Sequence, residues 1–217
     1  MEEVVKFNQL GKKFKQQVIF NEISLSFNGG QIIGITGQNG SGKSVLFKLM
    51  AGLERPSTGE IMINGHNITK TNSFPDNMGI LIENPPFIDN LTGFENLKLL
   101  AAITNQINNE QIKVTLKQVG LDDARYKKVK YYSLGMKKKL GIAQAIMEHQ
   151  KIILLDEPMN ALDEESVLLM RILFKKLAEQ GKTIFIASHN KEDIQQLCHT
   201  VYRVKNNQLI KQKKAYD

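Results

Sequence analysis

Eight consecutive residues limit what this chain can fold into more than any other feature. Gly37-Gln38-Asn39-Gly40-Ser41-Gly42-Lys43-Ser44 fits the pattern G-x-x-x-x-G-K-[ST] at every fixed position. That pattern has a physical meaning only between a strand and a helix. Ile32–Thr36 before it is a short apolar run, and residues 45–51 after it read as a helix. Phosphate oxygens need several backbone N–H donors close together. Glycine lets the turn tighten and lets the backbone approach without a Cβ in the way. The following helix starts at the phosphates, where its free N–H groups and its dipole favour an anion. Gly37, Asn39, Gly40, Ser41 and Gly42 are therefore expected to wrap phosphate. Lys43 supplies a mobile charge for the β- and γ-phosphates, and the Ser44 hydroxyl is expected to meet Mg²⁺.

A second run answers the first. Ile152-Ile153-Leu154-Leu155-Asp156-Glu157 is four aliphatic residues followed by two acids. A buried strand delivers both carboxylates to the C-terminal edge of its sheet, where open α/β sheets bind ligands. Successive strand residues face opposite ways, so the two acids should differ in role. Asp156 is expected to hold Mg²⁺, directly or through water, and Glu157 to polarise an attacking water. By itself such a pair would mark only a solvated strand end; the phosphate loop gives it a purpose.

The rest of the chain alternates short apolar runs with amphipathic stretches, as α/β folds do. Residues 23–27 alternate with period two, and Thr183–Ala187 is a compact β-prone run. Residues 164–180 read as a helix, with Gly181 placed as a C-terminal cap. The stretch 91–147 is helical in pattern, with a capping box at Thr92 and Glu95 and a break at Gly120 and residues 122–130. The tail, 200–211, reads as a hairpin turning at Asn206-Asn207. Three sections follow: a core with a β subdomain over roughly 1–84 and 148–217, and a helical subdomain over roughly 85–147.

Composition narrows the class. No apolar run approaches the roughly 18 residues a membrane span needs, and the N-terminus does not have the pattern of a secretory signal. Cys198 is the only cysteine and there are four histidines, so neither an intramolecular disulfide nor a zinc cluster is expected, which fits a reducing cytosol. Twenty-nine basic against 22 acidic residues give a net charge of +7. That charge suits a solvated lysine-rich surface, an anionic membrane face, nucleic acid or an anionic nucleotide, and composition leaves these open.

Further motifs then fall in order along the chain. Tyr132-Ser133-Leu134-Gly135-Met136 resembles the signature usually written LSGGQ. Pro158-Met159-Asn160-Ala161-Leu162-Asp163 resembles a D-loop, and Ile186-Ala187-Ser188-His189 resembles a switch-histidine loop. Together with the phosphate loop and the acid pair, they resemble the ATP-binding-cassette (ABC) family over essentially the whole chain. The resemblance implies a P-loop NTPase fold with a RecA-like α/β core, an antiparallel β subdomain and a helical signature subdomain. It implies ATP and Mg²⁺ as cofactors and ATP hydrolysis as the reaction. Glu157 and His189 would be catalytic, with His189 sensing the γ-phosphate, and Phe14 would stack on adenine. Ser133, Gly135 and Met136 would act on the nucleotide of a second domain, with Asp163 in the D-loop. Ser133 would cap a helix over 134–147, pointing its positive end at that γ-phosphate.

Three departures from the family pattern stand out. Leu134 and Met136 replace a glycine and a glutamine of the signature. Val45 stands where a second hydroxyl residue often follows Ser44, leaving only its backbone N–H for the α-phosphate. Glu83 sits where the Q-loop glutamine is expected and would join Ser44 and Asp156 around the metal. Ile82-Glu83-Asn84-Pro85-Pro86-Phe87 and Asn90-Leu91-Thr92-Gly93-Phe94-Glu95-Asn96-Leu97 are similar to exporters of the bacitracin-resistance and lantibiotic-immunity type. That resemblance implies a second nucleotide-binding domain, identical or not, and transmembrane permease subunits that meet the region 87–94. It also implies a cytoplasmic protein, peripheral on the inner face of the plasma membrane, with no nucleic-acid partner. Two other readings remain at this point: a soluble ABC ATPase acting on nucleic acid or ribosomes, and a nucleotide-dependent binding module without turnover.

Overall fold

Parity along the buried strands builds three layers. The computed structural model describes residues 2–71, 74–83 and 85–212. A six-stranded sheet runs through it in the order β10-β9-β3-β8-β7-β6. Its strands are β3 (Ile32–Thr36), β6 (Met78–Leu81), β7 (Ile152–Asp156), β8 (Thr183–Ala187), β9 (Thr200–Lys205) and β10 (Gln208–Gln212). All neighbours are parallel except β9 and β10, which form an antiparallel hairpin. In β7 and β8 every residue is buried, so the alternation shows in which layer each side chain enters. Ile32, Ile153, Leu155, Ile184 and Ile186 pack into one cluster, and Ile33, Ile35, Ile152, Leu154 and Phe185 into another on the opposite face.

The second cluster is covered by an antiparallel sheet in the order β2-β1-β4-β5: β1 (Glu3–Phe14), β2 (Gln17–Asn28), β4 (Thr58–Ile63) and β5 (His66–Asn67). Helix α1 (Lys43–Met50) lies between the two sheets' hydrophobic sides, and the short α2 (Ile68–Thr71) follows β5. The first cluster is covered by α3 (Gly93–Thr104), α4 (Asn109–Gln118), α5 (Leu134–Ile146), α6 (Glu164–Glu179) and α7 (Lys191–Leu197).

The expected caps form. Thr92 and Glu95 make both bonds of a capping box, Gly181 follows the last turn of α6 with φ +85°, and Asn206 and Asn207 both take positive φ at the β9–β10 turn. The helical stretch 91–147 is three helices. It breaks at 122–130, as the sequence suggests, and also at 105–108. There Asn105 ends α3 in the left-handed conformation and Asn108 opens α4 with a second capping box. The sequence pattern had shown only residues 23–27 of what are two 12-residue strands, β1 and β2. Their repeated register shifts disturb a strict period of two. Among the described residues no helix is long and apolar enough to cross a membrane.

Candidate functional site: a phosphate-loop cleft

The C-terminal edge of the parallel strands carries the chemistry. The loop after β3 closes with Gly42 at φ +107°, a conformation that side chains resist. A Cβ there would also lie 2.6 Å from Ile19 of β2. The first bond inside α1 runs from Leu46 N–H to Gly42 C=O at 2.8 Å, so the N–H groups preceding it are not spent on the helix ladder. Lys43 is 7% exposed. Its Nζ folds back over the loop and donates to the carbonyls of Gly37 and Gln38 at 3.1 and 3.3 Å. Ser44 points the other way, and its hydroxyl donates to Asp156 Oδ2 at 2.5 Å.

Asp156 ends β7 and is buried. Burial pushes its carboxyl above the ordinary value against the Ser44 hydrogen bond, and the Glu157 charge pushes it further, while Lys43 and Lys138 pull it down. The chain turns sharply at the next residue: Glu157 takes φ +48°, and its N–H bonds to Ala187 C=O at 2.9 Å. That bond ties the ends of β7 and β8 together and brings His189 alongside. His189 Nδ1 lies 2.9 Å from Glu157 Oε2, but outside hydrogen-bond geometry, and the oxygen is buried without a hydrogen-bond partner. A non-glycine residue in left-handed conformation costs of the order of 1 kcal/mol or more and persists where the surrounding structure holds it.

A cleft of about 480 Å³ joins Asn39, Gly40, Gly42, Lys43, Ser44, Val45, Glu83, Asp156 and Glu157. Glu83, with φ +61°, is ion-paired through Oε1 to Lys48 Nζ at 2.7 Å. Other expected residues lie outside the cleft lining. Gly37 and Ser41 are in the loop but not in that lining, and the Ser41 hydroxyl is buried without a hydrogen-bond partner. Phe14 is exposed at the β1–β2 turn, under Lys12 at 4.4 Å. Asp163 caps α6, and the hydrogen bonds from Ser166 hold its carboxyl below the ordinary value.

The signature residues lie at the opening turn of α5, and of these Ser133, Gly135 and Met136 are not among the residues lining this cleft. Ser133 is the N-cap, its hydroxyl accepting from Met136 N–H at 3.1 Å. Gly135 approaches the chain closely: a Cβ would lie 2.7 Å from the Ala161 carbonyl oxygen. Leu134 and Lys138, one turn apart, face into the cleft, as do Ile19, Asn160 and Ala161. None of these five was singled out from the sequence as a site residue. For Lys138 the available signal was its spacing of four from Leu134, hidden within three consecutive lysines. A larger cleft, about 840 Å³, lies at the opposite, N-terminal edge of the strands and gathers none of the expected site residues.

Residues 20–160 match the family model described as ABC transporter. The chain belongs to the ABC transporter family of ATPases. It is 40% identical over 200 residues to a Bacillus subtilis ABC transporter ATP-binding protein, YybJ, with 92% of each chain covered. It is 36% identical to the bacitracin transport ATP-binding protein BcrA of Enterococcus faecalis, covering all of this chain and 74% of that one. It is 29% identical to the lantibiotic transport ATP-binding protein SrtF of Streptococcus pyogenes, covering 99% and 92%. The fold matches the ATP-binding cassette MJ0796, solved as a dimer with ADP and phosphate, at a TM-score of 0.87 and 23% identity, covering 98% of this chain and 100% of that one. The ABC cassette fold expected from the sequence is therefore the fold of this chain.

Proposed function

We propose that this ABC ATPase drives a separate membrane permease that exports a peptide antibiotic or a similar amphipathic substrate. The similarity to bacitracin and lantibiotic transport proteins supports the cargo class and disfavours a nucleic-acid role. The observation that carries the enzymatic reading is the convergence of Lys43, Ser44, Asp156 and Glu157 in one cleft, with His189 Nδ1 2.9 Å from Glu157 Oε2.

Each residue then has a task. The backbone of Gly37 to Val45 and the Lys43 ammonium hold the phosphates. Phe14, exposed at its turn, is free to stack on adenine. The Ser44 hydroxyl and the carboxylates of Asp156 and Glu83 are hard oxygen donors, which is what Mg²⁺ takes. Bound there, the ion would offset phosphate charge. The Glu157 carboxylate accepts a proton from the attacking water, and His189 beside it reads the γ-phosphate. Ser133, Gly135 and Met136 do not line the cleft of their own chain, which suits a role at the nucleotide of a second copy or a related domain, with Asp163 at the same junction. The protein works on the cytoplasmic face of the membrane, bound to its permease through the region around residues 87–94.

Glu157→Gln tests the reading. It keeps the shape of the side chain and removes the proton acceptor. ATP binding should persist while phosphate release falls on the order of 10²-fold or more, and an ATP-bound dimer should accumulate on gel filtration. Turnover close to wild type would remove Glu157 from this role.

A further inference from the structure

One helical face carries a cation into the site. Along α5, residues 145, 141 and 138 form a stripe that packs on β6 and the loop after it. Ala145 meets Gly79, where an added Cβ would overlap the Ala145 carbonyl, and Gly141 sits against Leu81 and Pro85. Lys138 comes next, level with Glu83. It is 7% exposed, and its Nζ donates to the Glu83 carbonyl oxygen at 3.4 Å. It lines the same cleft as Lys43, Ser44, Asp156 and Glu157 and interacts electrostatically with both acids. Glu83's own carboxylate is taken by Lys48, so the charge of Lys138 is left for Asp156 and Glu157.

We infer that Lys138 is a positioning residue of the ATP site, a resident cation that ties the Glu83 backbone to α5 and balances Asp156 and Glu157 from within the same chain. Burying a lysine is costly unless its charge is compensated; the two carboxylates offset part of that cost, and burial still holds the Lys138 ammonium below the ordinary lysine value. The consequence has a definite sign. A fixed cation attracts the nucleotide phosphates and opposes a divalent ion. Its loss should weaken nucleotide binding most where no metal offsets the carboxylates, and should increase the benefit that metal brings.

The inference rests on the carboxylate and metal roles proposed above, and the test separates the two. Binding of a fluorescent ATP analogue to the full chain is measured in EDTA and in Mg²⁺, for wild type and for Lys138→Met, Lys138→Gln and Lys138→Arg. For Lys138→Met the affinity in EDTA should fall about 10-fold, the scale of one charge interaction at the edge of an open cleft. The drop in Mg²⁺ should be clearly smaller. Lys138→Gln keeps an N–H donor without the charge and should follow Met; Lys138→Arg should restore the wild-type ratio. Equal losses in EDTA and Mg²⁺ would make Lys138 merely structural and overturn the inference, as would no loss at all. If Lys138→Met does not fold, the Gln variant decides by the same criterion. A wild type whose affinity ignores Mg²⁺ would instead defeat the metal reading, and the EDTA measurement alone would then decide for Lys138.

Discussion

Glu83 shows how little energy separates two roles for one side chain. Its carboxylate pairs with Lys48 at 2.7 Å, but the side chain is 65% exposed, and such surface pairs contribute only about 0–1 kcal/mol. A divalent ion beside Asp156 can therefore draw Glu83 away from Lys48, because an ion between two carboxylates offsets their repulsion. Under the proposed metal role, a Mg²⁺ titration of ATPase rate at fixed ATP should shift to higher metal for Glu83→Gln, with activity retained. It should shift further for Glu83→Ala, which leaves no oxygen. Superimposable curves for the three proteins would leave Glu83 as a partner of Lys48 alone. At this scale the sequence was informative where a motif fixed the spacing, as at Lys43, Ser44, Asp156 and Glu157. It was silent on Lys138, because a lysine run reads as a solvated face until the helix is set against β6.

Among the elements, the contact of α5 with β6 is the tightest constraint on the site. Gly79 lets the helix lie directly on the strand, so that the stripe ending at Lys138 reaches the cleft edge. Gly79→Ala should force strand and helix apart and cost about 3 kcal/mol, at the upper end for overpacking a core. Urea unfolding followed by circular dichroism measures it, and a change below about 0.5 kcal/mol would show that the contact yields freely. The short buried strands and the long α6 were legible because parallel strands covered on both faces read as continuous aliphatic runs. The twelve-residue β1 and β2 were not, because their register shifts break the alternation that marks an exposed antiparallel strand. The break at 105–108 was missed for a related reason: Asn105 ends a helix as glycine would, and only its backbone angle reveals it.

For the molecule as a whole, the proposed function makes one chain the holder of two half-sites. The phosphate loop, acids and Lys138 gather in one cleft, while Ser133 and Gly135 open α5 outside its lining. The account predicts that a second copy or a related domain completes each site. The most direct measurement mixes two disabled proteins. Lys43→Ala removes the phosphate-loop charge, and Ser133→Arg places a bulky cation where the partner's γ-phosphate must dock. Ser133→Arg should bind ATP normally yet fail to dimerise with it, and each variant alone should release little phosphate. Mixed, they should regain turnover, up to one competent site per heterodimer. Full phosphate release by Ser133→Arg alone, or by wild-type protein diluted to monomer, would contradict the composite site.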